Sequence, residues 1–126
     1  MRRRRDEQRG FTLLEMMIVL ALIGLIAGSI GTALFKKAVD ARIKLAHVQV
    51  RELVGHVQQF MIMKERCPTV EDLVTEQYLR REPRDPWGTS IVVRCPGEHE
   101  PDPADVVSHG PDKKPDTADD IKSWTP

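Results

Sequence analysis

One carboxylate, Glu15, lies in an otherwise uncharged apolar run that extends from Phe11 to Phe35. A charged side chain at the centre of a bilayer costs roughly 2.5–3.5 kcal/mol on insertion scales, so such a residue normally has a partner or a function. A basic leader with five arginines, at positions 2–5 and 9, precedes the run. By the positive-inside rule this leader stays in the cytoplasm, and the chain after the run faces the opposite side of the membrane.

A second group of carboxylates, Asp112, Asp119 and Asp120, lies close to the C-terminus. Calcium binds 6–8 oxygen atoms, and carboxylates combined with main-chain carbonyls in a flexible loop suit it. The EF-hand pattern fails here, because Thr117 occupies the position where that motif requires glycine. From the residues alone two interpretations remain, a solvated acidic tail and a calcium loop, and the tail is the more frequent of the two.

Two cysteines, Cys67 and Cys95, follow the apolar run and so belong to a compartment that favours disulfides. A bridge between them stabilises a small domain by roughly 3 kcal/mol in the chain-entropy model. The alternative is a pair of buried free thiols. The chain contains no Cys-x-x-Cys, which argues against a redox or cysteine-zinc site.

These residues must be positioned by a long helix, because no proline occurs between Phe11 and Arg66. The first part is 25 residues long, enough to span a bilayer. A signal peptide cut after Ala27-Gly28-Ser29 is the alternative, but signal-peptide apolar regions run only about 7–15 residues. The second part carries an apolar stripe in steps of three and four, typical of an amphipathic helix. The stripe consists of Val39, Ile43, Ala46, Val50, Leu53, Val57 and Phe60.

Beyond Cys67-Pro68, where the proline ends the helix, the sequence predicts a small head. Thr69 and Asp72 form a capping-box pattern for a short second helix, whose predicted inner face is Leu73, Val74, Tyr78 and Leu79. Residues 91–93 are the strongest strand signal, with 106–107 as a partner strand. From residue 99 onward the composition predicts disorder unless something ties the segment down. The fold class is therefore α+β, a long N-terminal helix with a short helix and a small antiparallel sheet.

Composition and charge exclude several classes of function. The formal net charge is zero, but the first ten residues carry about +3, which leaves 14 basic against 17 acidic residues in the remainder. No basic patch with interleaved aromatic residues follows the leader, so a nucleic-acid partner is not expected. Phosphate-binding glycine loops, His-Glu-x-x-His and Gly-x-Ser-x-Gly are all missing from the sequence, which argues against an enzyme.

The junction formed by Gly10, Phe11 and Glu15 resembles the processing site of type IV pilins and type II secretion pseudopilins. The resemblance implies cleavage between Gly10 and Phe11 by a prepilin peptidase and N-methylation of Phe11. It also implies that Glu15 neutralises the new amine of a neighbouring subunit in a filament. An ordinary signal anchor with an incidental acid is the alternative.

A turn of four residues, Asp85-Pro86-Trp87-Gly88, and the C-terminal segment that contains Asp112, Asp119 and Asp120 resemble those of major pseudopilins. The resemblance implies a structural calcium ion held by the side chains of Asp112, Asp119 and Asp120 and by the main-chain oxygen of His109. For the turn we expect a structural role, with Trp87 as an apolar anchor over a thin core. The sequence departs from the family at Thr32, where a proline is usual.

The resemblance implies a structural subunit of a periplasmic pseudopilus that pushes folded exoproteins out of the cell. Its expected parts are a cleaved leader (residues 1–10), a membrane-spanning and filament-core helix (11–35) and a periplasmic head (36–126). The expected location is the inner membrane, in a single pass, and then the periplasmic filament. Expected partners are further copies joined through the N-terminal helices, minor pseudopilins, the prepilin peptidase and the inner-membrane secretion platform. The alternatives are a type IV pilin or minor pseudopilin, and a monomeric membrane-anchored calcium-binding module.

Overall fold

The computed structural model describes residues 10–126, so the predicted leader, Gly10 apart, lies outside the described residues. The chain divides into two compact units, one that ends at Ala38 and one from Val39 to Pro126. The elements follow in the order α1 (Leu13–Lys64), α2 (Val70–Thr75), β1 (Val92–Arg94), β2 (Asp105–Ser108) and β3 (Ile121–Lys122).

The long helix α1 confirms the prediction of one uninterrupted helix, with each end two residues inside the predicted bounds. At its start the side chain of Thr12 accepts the N–H of Glu15 at 3.2 Å, which satisfies one of the free donors of the first turn. At its end the N–H of Glu65 donates to the carbonyl of Met61, and Glu65 takes the left-handed conformation common after a helix C-terminus.

The N-terminal part of α1 is exposed along its whole length. Each residue from Leu13 to Phe35 is exposed, and more than half of these residues are leucine, isoleucine, valine or methionine. Within residues 10–126, α1 is the one helix long and apolar enough to cross a membrane. Such a surface is stable only against lipid or against other helices.

The second unit has a core built on the predicted stripe of α1. Ala46, Val50, Leu53, Val57 and Phe60 are all at most 2 % exposed. Residues from α2, β2 and β3 and from the two segments that precede β1 and β2 complete the core, namely Leu73, Ile91, Ala104, Val106 and Ile121. The amphipathic half of the helix therefore supplies about half of the buried apolar side chains of the head.

The short helix α2 begins with the predicted capping box, in which Thr69 accepts from the N–H of Asp72 and Asp72 accepts from the N–H of Thr69. A hydrogen bond from Arg66 holds the pKa of Asp72 well below its usual range. The helix ends at Thr75, so Tyr78 and Leu79 lie beyond it rather than on its face, and that part of the prediction was wrong. Tyr78 nevertheless packs edge-on against the ring of Phe60, with 5.4 Å between the centroids.

A three-stranded antiparallel sheet in the order β1-β2-β3 completes the head. The predicted pair of strands is present, with Val92 opposite Val107 and Val93 opposite Val106. The third strand, in which Ile121 pairs with Ser108, was not predicted. The pairing of β3 with β2 holds the segment after residue 99 in the sheet. This segment was predicted to be disordered unless such a contact held it. The ring of His99 also stacks on Trp124, with 3.9 Å between the ring centroids.

Candidate functional site

The aspartate loop, defined as residues 109–120, connects β2 to β3 and is held by its own carboxylates. Asp112 donates its N–H to Asp119 at 3.0 Å and accepts the N–H of Lys114 at 2.9 Å. Asp116 donates its N–H to Asp120 at 2.9 Å. Hydrogen bonds from backbone N–H groups fix the carboxylates, so the loop has a defined conformation in place of regular secondary structure.

The three predicted calcium ligands meet at the hydroxyl of Thr117. Its Oγ1 lies 2.7 Å from a carboxylate oxygen of Asp119, 3.2 Å from one of Asp120 and 3.3 Å from one of Asp112. The carbonyl oxygen of Lys114 is a fourth neighbour at 3.2 Å. A hydroxyl has one hydrogen to donate, so it satisfies one of these four oxygens and leaves three without that donor. Thr117 was not predicted from the sequence, where its only signal is a hydroxyl between the aspartates.

The arrangement is a cluster of oxygens rather than a completed metal site. Among residues 10–126, no three His, Cys, Asp or Glu side chains are placed closely enough to hold a metal ion as they stand. The donor set itself fits calcium, because all the converging atoms are hard oxygen ligands, most of them on carboxylates. His109, the fourth predicted ligand residue, precedes Gly110, and its side-chain Nδ1 is buried without a hydrogen-bond partner in the described chain.

The electrostatics of the loop favour the charged form of its central carboxylate. The hydroxyl of Thr117, followed by the N–H of Asp112, holds the pKa of Asp119 below its usual value. Asp119 is therefore ionised at neutral pH and carries a full negative charge into the oxygen cluster. Two further carboxylates within 3.3 Å of the same hydroxyl make the cluster attractive to a cation.

The Asp85-Pro86-Trp87-Gly88 turn is hydrogen-bonded to the residue before this loop, Ser108, and contributes a buried carboxyl group. Asp85 is 5 % exposed, and its Oδ1 accepts the N–H groups of Trp87 at 3.1 Å and Thr89 at 2.8 Å. Its other oxygen accepts from the hydroxyl of Ser108 at 2.8 Å. Trp87 is half-buried and packs against the core, as expected of an apolar anchor. The hydrogen bond between Asp85 and Ser108 was not predicted from the sequence.

A disulfide joins Cys67 to Cys95, the pairing that the sequence favoured over two free thiols. The two Cα atoms are 5.6 Å apart, within the range that a bridge requires. The bridge connects the segment after α1 to the residue after β1, across a separation of 28 residues. The helix and the sheet of the head are thus covalently linked.

At the N-terminal junction the structure describes Gly10, Phe11 and Glu15, and all three are exposed. The main-chain N–H of Glu15 bonds to Thr12, and within residues 10–126 its carboxylate makes no ion pair. The carboxylate is therefore available to a partner outside the described chain.

Comparisons with known proteins identify the family of the chain. The family described as Type II secretion system (T2SS), protein G, matches residues 33–124, and the Prokaryotic N-terminal methylation motif matches residues 5–31. Core protein G of the type II secretion system of Dickeya chrysanthemi is 33 % identical, over 93 % of this chain and 86 % of its own length. The corresponding protein of Escherichia coli K12 is 34 % identical, over 94 % of this chain and 92 % of its own.

A solved structure resembles the fold. The crystal structure of the major pseudopilin from the type 2 secretion system of enterohaemorrhagic Escherichia coli aligns with a TM-score of 0.59 and 26 % identity. The alignment covers 72 % of this chain and 89 % of that one.

Proposed function

Because the chain belongs to the type II secretion system protein G family, we propose that it is made as an inner-membrane precursor and assembled into a periplasmic filament. It is a structural subunit of the pseudopilus and not an enzyme. The proposed parts are a leader of residues 1–10, a membrane-spanning helix of residues 11–35 and a periplasmic head of residues 36–126.

The observation that carries the proposal is the exposed apolar surface of α1 between Leu13 and Phe35. This surface needs an apolar environment both before and after assembly. Lipid supplies that environment to the precursor, and the N-terminal helices of neighbouring copies supply it in the filament. The proposed partners are therefore further copies of this chain and, by family membership, minor pseudopilins, the prepilin peptidase and the inner-membrane assembly platform.

We propose that the precursor is cut between Gly10 and Phe11, that Phe11 is N-methylated, and that Glu15 pairs with the new amine of a neighbour. Two facts support this pairing. The N-terminal methylation motif match includes all three residues, and the carboxylate of Glu15 lacks an ion-pair partner within residues 10–126. An ammonium partner offsets the cost of placing the carboxylate in an apolar filament core.

Glu15→Leu tests this pairing. We expect the variant to insert stably into the membrane, because the substitution removes the one charged side chain of the apolar run. We also expect it to lose most of the subunit ladder that crosslinking of whole cells produces from the parent chain. N-terminal mass measurement shows whether the variant is still cut and methylated at Phe11, which separates an assembly defect from a processing defect.

The matched control for this experiment is Met16→Leu, which changes the adjacent residue without changing the charge. It should form a normal ladder. A normal ladder from Glu15→Leu contradicts the pairing, and a ladder-free parent chain contradicts assembly itself and favours a monomeric anchored module. A parent chain that begins at Met1 in cells with an active peptidase contradicts the proposed processing.

We propose that the aspartate loop binds a structural calcium ion through the side chains of Asp112, Asp119 and Asp120 and the main-chain oxygen of His109. When bound, the ion neutralises the converging carboxylates and restrains the loop between β2 and β3. Support comes from the four oxygen atoms that converge on the single hydroxyl hydrogen of Thr117, an excess of acceptors that a cation relieves.

Asp119→Asn tests the calcium site. In isothermal titration of the detergent-solubilised chain with calcium, we expect the parent to release binding heat and the variant to lose it, because the amide keeps the size of the carboxylate but not its charge. Asp40→Asn, on the exposed surface of α1, is the control and should bind as the parent does. A parent chain without binding heat contradicts the site.

A further inference from the structure

We infer that Asp85 and Ser108 are positioning residues that hold the aspartate loop in place through a buried chain of hydrogen bonds. The effect on calcium binding rests on the calcium site proposed above, whereas the hydrogen bonds of the path are present in the structure. The path runs from the turn at residues 85–88, through Ser108 at the end of β2, to Gly110 in the loop. Neither Asp85 nor Ser108 is among the proposed calcium ligands.

The path begins at Asp85, whose carboxylate is fixed in one orientation. Two N–H groups of its own turn, from Trp87 and Thr89, are bound to Oδ1. Oδ2 is left for the hydroxyl of Ser108 at 2.8 Å, across 23 positions of sequence. A buried carboxylate needs such donors, since it has lost its hydration and within residues 10–126 it makes no ion pair.

The hydroxyl of Ser108 is the central link of the path, because it donates to Asp85 on one side and accepts from Gly110 on the other. The hydroxyl of Ser108 gives its one hydrogen to Oδ2 of Asp85. The lone pairs of the hydroxyl oxygen are thereby directed elsewhere, and the N–H of Gly110 donates to them at 3.3 Å. Ser108 is completely buried, so its hydroxyl relies on protein partners such as these in place of water.

Gly110 contacts Asp119, the proposed calcium ligand near the other end of the loop. Its φ of +65° lies in the left-handed region, and the space beside its Cα is occupied by the main-chain carbonyl of Asp119. The two ends of the loop are therefore in direct contact at this glycine. Asp119 in turn accepts the N–H of Asp112, so the position of Gly110 bears on two of the three carboxylates.

Ser108→Ala removes the hydroxyl from the centre of this path. Hydrogen exchange of the detergent-solubilised full chain without calcium should become about 5- to 10-fold faster in peptides that cover residues 109–120. The apparent calcium affinity should weaken by a similar factor, because the loop must be ordered before it binds. Ser123→Ala is the matched control: it also removes a hydroxyl bonded to β2, through the N–H of Val106, but outside the path.

Unchanged exchange in residues 109–120 of Ser108→Ala overturns the inference, whatever the affinity for calcium. Equal acceleration in Ser123→Ala also overturns it, since the effect would then reflect general loosening of the sheet. A parent chain that binds no calcium refutes only the proposed metal, because the exchange experiment contains none. If Ser108→Ala is too unstable to study, Asp85→Asn combined with Ser108→Ala removes the orphaned charge and permits the same comparison, with the same two overturning results.

Discussion

Replacement of both Cys67 and Cys95 by serine is expected to lower the free energy of unfolding of the head by about 3–4 kcal/mol. The bridge closes a segment with a sequence separation of 28, and its loss returns that loop entropy to the unfolded chain. The head has little stability to spare, because its sheet has strands of three, four and two residues and its core depends on one helix.

Guanidinium unfolding of the detergent-solubilised chain measures this effect cleanly. Both tryptophans, Trp87 and Trp124, lie in the unit from Val39 to Pro126, so fluorescence reports the head alone. The reduced parent chain is the control and should unfold with the midpoint of the double variant. A difference below about 1 kcal/mol between the oxidised parent and the variant would show that the bridge is dispensable to the head.

Gly110→Ala is expected to cost about 2–4 kcal/mol and to displace the aspartate loop. Two effects add at this position. Alanine at a φ of +65° is strained by about 1–2 kcal/mol, and its Cβ would overlap the carbonyl oxygen of Asp119. The overlapped atom belongs to the backbone, so a side-chain rotation cannot relieve the clash and the loop must move.

Gly88→Ala is the matched control for Gly110→Ala, because Gly88 has a φ of +84° but open space where a Cβ would be placed. It should show the strain alone, about 1–2 kcal/mol, with the aspartate loop undisturbed. Thermal unfolding and calcium titration of both variants separate the two effects. Equal destabilisation by the two substitutions would contradict the prediction that a Cβ at position 110 clashes with Asp119.

Periodicity explains why the helical part of the fold was predictable from sequence. A stripe repeated over seven positions, without proline, specified both the course of α1 and the face that it buries. The capping box of α2 and the pairing of Val92 with Val107 were also local or strongly patterned signals. In contrast, β3 has two residues, of which only Ile121 is apolar, and so small a signal is indistinguishable from a loop.

The candidate site was predictable only in its charged residues. Asp112, Asp119 and Asp120 were expected to act together, and the structure brings them to one hydroxyl. The hydroxyl belongs to Thr117, and no sequence pattern distinguishes it from a solvent-exposed threonine. The contact between Asp85 and Ser108 depends on the packing of a turn against the end of a strand, a tertiary relation that no local spacing encodes.

The exposed apolar half of α1 also determines how subunits reach a growing filament. Fifteen large apolar side chains are exposed from Phe11 to Phe35, and their transfer to water would cost on the order of tens of kcal/mol. A water-dissolved pool of subunits is therefore negligible, and supply must occur by lateral diffusion in the lipid plane. Elongation rate should consequently scale with the number of subunits per unit area of membrane, and be indifferent to the volume of the compartment into which the filament extends.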